Sequence, residues 1–349
     1  HRDLHSFPTR RSSDLANKPI TIGNVTVAPG QSAAINLPIA DLYTGTSLSM
    51  PVKVVNGRRA GPVLFVAAAI HGDELNGVEI VRRLLRQKML RSLSGTLLAV
   101  PVVNVHGFLE RSRYLPDRRD LNRSFPGSAK GSIAARTANT FVKEIVSKAN
   151  CGIDLHTGAV NRANLPQVRA NLDDEKTLEL AEVFGAPVII NSIIRDGSLR
   201  EYAAENGFPM LVYEAGEALR HDEVCIRAGL RGVKRIMRHI GMLPKAKASK
   251  AVHPVVADAT SWVRAPESGI VSHKVALGER VVEGQRLAVI SDPLGEAQEK
   301  VEAPFDGIVI GRSTLPLAHE GEALFHVAAF KSLSRAESKV EQFTAKISE

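Results

Sequence analysis

A histidine and a glutamate follow a buried strand in the first third of the chain. His71 and Glu74 open and close the motif His-Gly-Asp-Glu, directly after a continuous apolar run over residues 62–70. An imidazole and a carboxylate three residues apart can both turn toward one metal ion, and Zn²⁺ accepts both as ligands. Taken alone, the motif is weak and is better explained as a surface loop whose acid caps the next helix.

A second histidine supplies what a hydrolytic zinc site still needs. His156 lies in the motif Asp-Leu-His-Thr-Gly, at the end of another short apolar strand. A hydrogen-bonded structural histidine would look the same in isolation. Together with His71 and Glu74, however, it completes a His/Glu/His set that leaves one coordination position open for water. The three residues therefore predict one Zn²⁺ per chain.

Two further motifs offer groups for substrate binding and proton transfer. Asn122 and Arg123 lie in Asp-Leu-Asn-Arg-Ser-Phe-Pro-Gly, where an amide beside a planar guanidinium can grip a carboxylate. An ordinary turn with surface charges is the alternative. Glu214 ends an apolar strand in Leu-Val-Tyr-Glu-Ala-Gly. Because a carboxylate there can take a proton from metal-bound water, we interpret Glu214 as the general base.

The elements that must position these residues alternate along the chain. Apolar runs predict strands over residues 62–70, 96–105, 153–155, 187–190 and 210–213. Helical periodicity covers residues 77–90, 134–149, 178–184, 198–206 and 221–240. This alternation predicts an α/β fold with a mostly parallel mixed sheet flanked by helices. Open sheets of this kind place their sites at the carboxyl ends of the strands, where the motifs lie.

Beyond residue 258 the pattern changes to short β segments separated by glycine turns. Residues 263–271 and 301–309 repeat the pattern Ala-Pro-x-x-Gly-Ile-Val. Neither half could bury a core alone, so the repeat predicts a small all-β barrel. The module resembles a lipoyl/biotinyl-type barrel, whose modifiable members carry a lysine at a hairpin tip. The corresponding turn, residues 291–295, has no lysine, so we interpret the module as structural.

These patterns divide the chain into four parts, with a linker between the catalytic domain and the barrel. Residues 1–15 resemble a translated sequencing adapter and are set apart from the fold; the original start and any targeting signal stay open. Residues 16–245 are predicted to form the catalytic domain, 258–330 the barrel and 331–349 a charged tail that is helical or disordered. The polar stretch over residues 244–250 is the predicted linker.

Composition narrows the class of protein further. The chain of 349 residues is 44% hydrophobic and 23% charged, as in ordinary globular proteins, and has no apolar run of membrane-spanning length. Two cysteines in no ligand spacing indicate a reducing compartment, and we expect a cytoplasmic protein. The net charge of +8 is scattered and accompanied by one tryptophan, so it favours small anionic substrates over nucleic acid. Assembly into a homo-oligomer is compatible with the sequence.

In order, the motifs His-x-x-Glu, Asp-Leu-Asn-Arg-x-Phe, Asp-Leu-His and Glu-x-Gly resemble the succinylglutamate desuccinylase/aspartoacylase family. This family belongs to the zinc carboxypeptidase-like superfamily, and the resemblance covers residues 60–245. It implies that Asp120 accepts a hydrogen bond from His71 and fixes its orientation. It also implies that Arg113 polarises the scissile carbonyl, with Arg111 as the competitor for that role.

The resemblance implies a zinc-dependent amidohydrolase acting on carbon–nitrogen bonds other than peptide bonds. Its substrate would be a small anionic N-acyl amino acid or similar amide. A zinc carboxypeptidase acting on peptides, or a non-catalytic binding protein on the same fold, are the alternatives. Polar residues within 161–169 could line the substrate pocket, but we interpret this stretch as a solvated loop.

Overall fold

The computed structural model describes residues 16–192, 194–245, 254–296 and 298–348. The predicted adapter segment, residues 1–15, and residues 246–250 of the predicted linker lie outside the described residues.

Nineteen strands and seven α-helices make up the described part of the chain. The strands of the first half are β1 (Ile20–Ile22), β2 (Val25–Val27), β3 (Ser32–Asp41), β4 (Ser47–Asn56), β5 (Arg59–Ala68), β6 (Ser94–Val100), β7 (Cys151–Gly158), β8 (Arg162–Ala170), β9 (Val188–Asn191) and β10 (Met210–Glu217). Those of the second half are β11 (Val255–Ala257), β12 (Ala259–Arg264), β13 (Gly269–His273), β14 (Arg280–Val281), β15 (Arg286–Ser291), β16 (Gln298–Glu302), β17 (Gly307–Ser313), β18 (Leu317–Ala318) and β19 (Ala323–Ala329). The helices are α1 (Asn76–Leu85), α2 (Val105–Glu110), α3 (Ile133–Glu144), α4 (Glu175–Phe184), α5 (Leu199–Glu205), α6 (Glu223–His239) and α7 (Leu333–Ser348).

The centre of the main sheet is parallel, in the order β6-β5-β7-β10. Both faces of β5 are covered: Leu64 and Val66 pack in one core, and Phe65 packs in the other. Helices α1, α4 and α6 cover the first face, while α3, α5 and the β1–β2 ribbon cover the second. This two-sided burial explains why β5 reads as an unbroken apolar run.

Antiparallel strands extend the sheet on both sides of this centre. On one side β4 pairs with β6, and β3 with β4. On the other, β8 lies antiparallel to β10 and pairs in turn with β17 and with the parallel strand β9. The predicted mixed α/β sheet flanked by helices is thus confirmed, but parallel pairing is confined to the centre and to β8, β9 and β11.

The C-terminal module is all-β, in two layers around one core. A four-stranded sheet in the order β16-β15-β13-β18 faces strands β12, β19, β17 and β14. Leu287, Val301 and Phe325 are among the residues buried between them. The second layer is continuous with the catalytic sheet, because β17 pairs with β8. The described sheets show an all-β module and only part of a barrel. Closure of the barrel is still a prediction, and so are the domain boundaries.

The structure corrects two of the predicted segments and decides between the alternatives for a third. The strand predicted over residues 96–105 ends at Val100, and the chain then turns into α2. The charged tail forms helix α7, the helical one of the two predicted alternatives, and its Val340 lies in the same buried cluster as Leu165. Most importantly, residues 162–170 are not a solvated loop but the strand β8. The interpretation was wrong because Arg162, Asn164 and Arg169 of β8 line a cavity while neighbouring strands pair with both edges of β8. Among the described residues, no helix combines the length and apolar character needed to cross a bilayer.

Candidate active site

The ends of β5, β7 and β10 bring three of the sequence motifs together. The chain leaves β5 through Ala69, whose φ of 51° starts a sharp turn. The turn then runs so close to α2 that a Cβ atom on Gly72 would lie 1.9 Å from the carbonyl carbon of Gly107. Only glycine fits there. The motif therefore needs its glycine for the turn that directs His71 and Glu74 toward the ends of the neighbouring strands.

His71, Glu74 and His156 form a buried cluster. One potential ligand atom from each lies within 4.8 Å of the other two. The two carboxylate oxygens of Glu74 lie between the rings: Oε1 is 2.7 Å from Nδ1 of His71, and Oε2 is 2.8 Å from Nδ1 of His156. The structure thus brings together all three residues predicted to bind metal. The Nδ1 atoms of the two histidines face one another across the Glu74 carboxylate.

The outer nitrogen of each ring faces a carboxylate of its own. Nε2 of His71 lies 3.1 Å from Asp120, and Nε2 of His156 lies 2.6 Å from Asp154. A carboxylate at Nε2 favours a proton on that atom and leaves the Nδ1 lone pair free for a cation. Asp154 was missed in the sequence, although Asp-x-His on a strand places both side chains on the same face.

The electrostatics of the cluster favour positive charge. Burial opposes a charged His71 ring, but Glu74 and Asp120 outweigh it and raise the pKa of His71. Burial likewise works against a charged His156, yet Asp154 and Glu74 raise its pKa well above the usual value. Burial on its own would raise the pKa of Glu74, but the two histidines hold that pKa below its usual range. Carboxylates that stabilise two imidazolium rings can equally stabilise a divalent cation.

Arg113 belongs to the site, and Arg111 lies apart from it. The Arg113 guanidinium pairs with Asp120 through Nη2 at 2.9 Å, and its Nη1 lies 3.7 Å from Glu74. It lines the same cavity as the histidine cluster. Arg111 is exposed and takes the left-handed conformation that ends α2. Of the two candidates, only Arg113 can reach a group bound beside Glu74.

Asn122 and Arg123 line the same cavity from a short 3-10 turn. The turn starts at Asp120, whose side chain accepts a hydrogen bond from the Asn122 backbone at 2.8 Å. Asn122 Oδ1 accepts from the backbone N–H of Leu199 at 3.0 Å, which ties the turn to α5. The acceptor atom of Asn122 is therefore used within the fold, so its Nδ2 is the group available to a substrate oxygen. Arg123 is exposed at the cavity wall.

Glu214 lies beside His156 on the next strand, because the two residues are register partners in the β10–β7 pair. Its Oε2 accepts a hydrogen bond from Nδ2 of Asn164 at 2.9 Å. Its Oε1 lies 3.8 Å from Nε of Arg169. Both partners belong to β8, and the sequence did not assign either of them to the base.

These side chains line one cavity of about 1230 Å³. The C-terminal module contributes part of its wall, including Trp262 and His326, whose rings stack with centroids 4.3 Å apart. The part of the wall around Arg200 is rich in arginine, with Arg123, Arg169 and Arg195 close by. Burial, and then the neighbouring Arg169, lower the pKa of Arg200 to about 10. Positive charge is concentrated in this part of the cavity.

A family model matches the chain over residues 60–240, a stretch that includes every motif just described. The model is that of the succinylglutamate desuccinylase/aspartoacylase catalytic domain. The chain belongs to this family. The family predicted from the sequence motifs is therefore confirmed, and with it the general class of deacylase.

One relative and two solved structures are similar to most of the chain. An N-alpha-acetyl-L-2,4-diaminobutyric acid deacetylase from Halomonas elongata is 27% identical over 312 residues, covering 85% of this chain and 91% of the relative. The product-bound ectoine utilization protein EutE (DoeB) from Ruegeria pomeroyi superposes with a TM-score of 0.80 at 22% identity, covering 90% of this chain and 99% of that one. A succinylglutamate desuccinylase/aspartoacylase from Rhodobacter sphaeroides gives 0.76 at 23% identity, covering 86% and 95%. The fold shared with these two structures includes the C-terminal module.

Proposed function

We propose that this member of the desuccinylase/aspartoacylase family is a zinc-dependent deacylase that hydrolyses the amide bond of a small N-acyl amino acid. The observation that carries the proposal is the buried His71–Glu74–His156 cluster, whose potential ligand atoms lie within 4.8 Å of one another. Glu214 lines the same cavity. A buried cluster of this composition next to a carboxylate on the neighbouring strand is the arrangement that metal-assisted hydrolysis requires.

The donor set fits a zinc ion. Two imidazole nitrogens and one carboxylate are a common hydrolytic zinc set, and each imidazole already has a carboxylate at its outer nitrogen. When bound, the ion would lower the pKa of a water molecule and polarise the substrate carbonyl. His71, Glu74 and His156 would hold it, while Asp120 and Asp154 would keep the two rings oriented.

The remaining residues would carry out binding and proton transfer. Glu214 would take the proton from the attacking water and later deliver it to the leaving amine. Arg113, close to Glu74, would stabilise the negative charge that develops on the carbonyl oxygen. The amide of Asn122 and the guanidinium of Arg123 would hold the carboxylate of the amino acid.

The substrate class follows from the cavity and from the relatives. The arginine-rich wall around Arg200 favours an anionic ligand. The relative from Halomonas elongata is named as a deacetylase of an N-acetylated amino acid, which supports a small acyl amino acid over a peptide. We further infer that the C-terminal module is a lipoyl-like barrel with no carrier role, and that the enzyme works in the cytoplasm.

A substrate panel tests the proposal. Zinc-loaded protein should release free amino acid from acetyl- or succinyl-amino acids, with far lower kcat/KM on peptides of similar charge. Glu214→Gln keeps size and polarity but cannot accept the proton, so it should lose turnover by about 10²-fold or more while retaining zinc. Full activity of this variant, or a preference for peptides, would refute the proposal.

A further inference from the structure

The side chain that holds Glu214 in place comes from β8. Asn164 donates its Nδ2–H to Oε2 of Glu214 at 2.9 Å. It is 4% exposed, so water hardly competes for this hydrogen bond. In register, Asn164 pairs with Gly216 of β10 on one side and with Gly311 of β17 on the other. The amide thus lies between the strand of Glu214 and the C-terminal module.

The orientation of this amide is determined by the carboxylate. The other end of the Asn164 amide, Oδ1, is buried and has no hydrogen-bond partner among the described residues. Turning the amide around would place Oδ1 against the Glu214 carboxylate, where two acceptors would repel each other. A buried acceptor without a partner destabilises the fold. The observed orientation of the Asn164 amide accepts this cost and keeps its donor directed at Glu214.

The C-terminal module restricts the space around the amide. A Cβ atom on Gly311 would lie 3.1 Å from Oδ1 of Asn164, a tight contact that the amide could relieve only by shifting by a few tenths of an ångström. One position earlier, the carbonyl of Ile310 accepts a hydrogen bond from Nε2 of Gln167 at 3.2 Å. Strand β17 therefore pairs along the edge of β8 opposite to β10, the strand that carries Glu214. Because Gly311 lacks a side chain, the Asn164 amide fits between the module and Glu214.

We infer that Asn164 is a positioning residue for Glu214, and that the C-terminal module keeps it in place through Gly311. The inference rests on the proposed function, in which Glu214 is the base. The hydrogen bond engages Oε2 and leaves Oε1, 3.8 Å from Arg169 Nε, as the oxygen that accepts the proton from water. That proton then passes from Oε1 to the nitrogen of the leaving amine as the carbon–nitrogen bond breaks.

Steady-state kinetics of Asn164 variants test this role. Asn164→Ala should lower kcat by about 10- to 100-fold, because partners that orient a reacting group typically contribute that much. KM and zinc content should stay within about twofold of the wild type, because the inference assigns Asn164 to the orientation of Glu214 and not to substrate or metal binding. Asn56→Ala is the matched control: Asn56 is also buried and hydrogen-bonded, but it lies outside the cavity and should leave kcat unchanged.

The isosteric variant Asn164→Asp separates positioning from packing. It fills the same space, but it loses the donor and adds a negative charge beside Glu214, so its kcat should fall at least as far as that of Asn164→Ala. Gly311→Ala leaves position 164 intact and should give a smaller fall in kcat, because the added methyl pushes against Oδ1. Melting temperatures identify any variant that fails to fold.

The outcomes distinguish this inference from the proposed function. An inactive wild type, or an active Glu214→Gln variant, would remove the proposed function itself. An active wild type and an inactive Glu214→Gln, together with wild-type kcat in Asn164→Asp, would overturn the inference alone. An unchanged kcat in Gly311→Ala would overturn the part assigned to the C-terminal module.

Discussion

At the scale of single residues, the site depends on carboxylates that act in pairs with cationic or imidazole groups. Asp120 illustrates this arrangement, because one oxygen faces Nε2 of His71 and the other pairs with Arg113. The two basic partners outweigh burial and hold the pKa of Asp120 below its usual range. One carboxylate thus fixes both a predicted metal ligand and the cation expected to face the reacting carbonyl.

The two arginines near this carboxylate give a matched pair of variants. Arg113→Ala should lower kcat/KM by about 10²- to 10³-fold, the loss typical when one group that stabilises an oxyanion is removed. Arg111→Ala makes the same chemical change two residues away on an exposed side chain, and kcat/KM should stay near the wild-type value. Steady-state kinetics with the acyl amino acid of highest kcat/KM measure both variants. If Arg111→Ala lowered kcat/KM and Arg113→Ala did not, the assignment of Arg113 would be wrong.

At the scale of elements, α1 must lie very close to the strands that carry the predicted metal ligands. A Cβ atom on Gly77 would lie 2.8 Å from the Cβ atoms of Ala68 and Leu155, in β5 and β7. Leu155 directly precedes His156. Glycine at this position therefore brings the helix near enough to pack on both strands without displacing the metal-site residues.

The sign of a stability change tests this packing. Intrinsic helix propensity alone would make Gly77→Ala more stable by about 1 kcal/mol. Overpacking against Ala68 and Leu155 should instead lower the free energy of unfolding by about 1 to 3 kcal/mol. Urea denaturation measures the difference directly. A variant more stable than the wild type would contradict the close contact between α1 and the two strands.

The elements also explain which features the sequence could and could not predict. Buried strands such as β5 and β10 carry long apolar runs, so their ends, and with them His71 and Glu214, were visible in the sequence. Strand β8 carries Asn164, Gln167 and Arg169, and its polarity resembles that of a loop. It is a strand because β10, β17 and β9 pair with it, and pairing between distant segments leaves no local pattern. The partners of Glu214, the proposed base, were missed for the same reason.

At the scale of the whole molecule, the C-terminal module helps to form the cavity that holds the candidate site. Pairing of β17 with β8 extends the main sheet into the module, and Trp262 and His326 then complete the cavity wall. The internal repeat in the sequence revealed the module. It contains no information about which strand of the main sheet the module pairs with. The completed cavity encloses a predicted metal site together with arginine side chains, so it suits a small anionic amide better than a long peptide.

Zinc binding is the most direct test of the account, because every assigned role depends on a cation at the His71–Glu74–His156 cluster. Metal analysis of purified protein should give one zinc per chain, and zinc in 100-fold excess over its Kd should stabilise the fold by about 2.7 kcal/mol. His71→Ala should abolish both effects, whereas the exposed control His221→Ala should retain them. A wild-type protein that binds no zinc, or a His71→Ala variant that binds it as well as the wild type, would contradict the account.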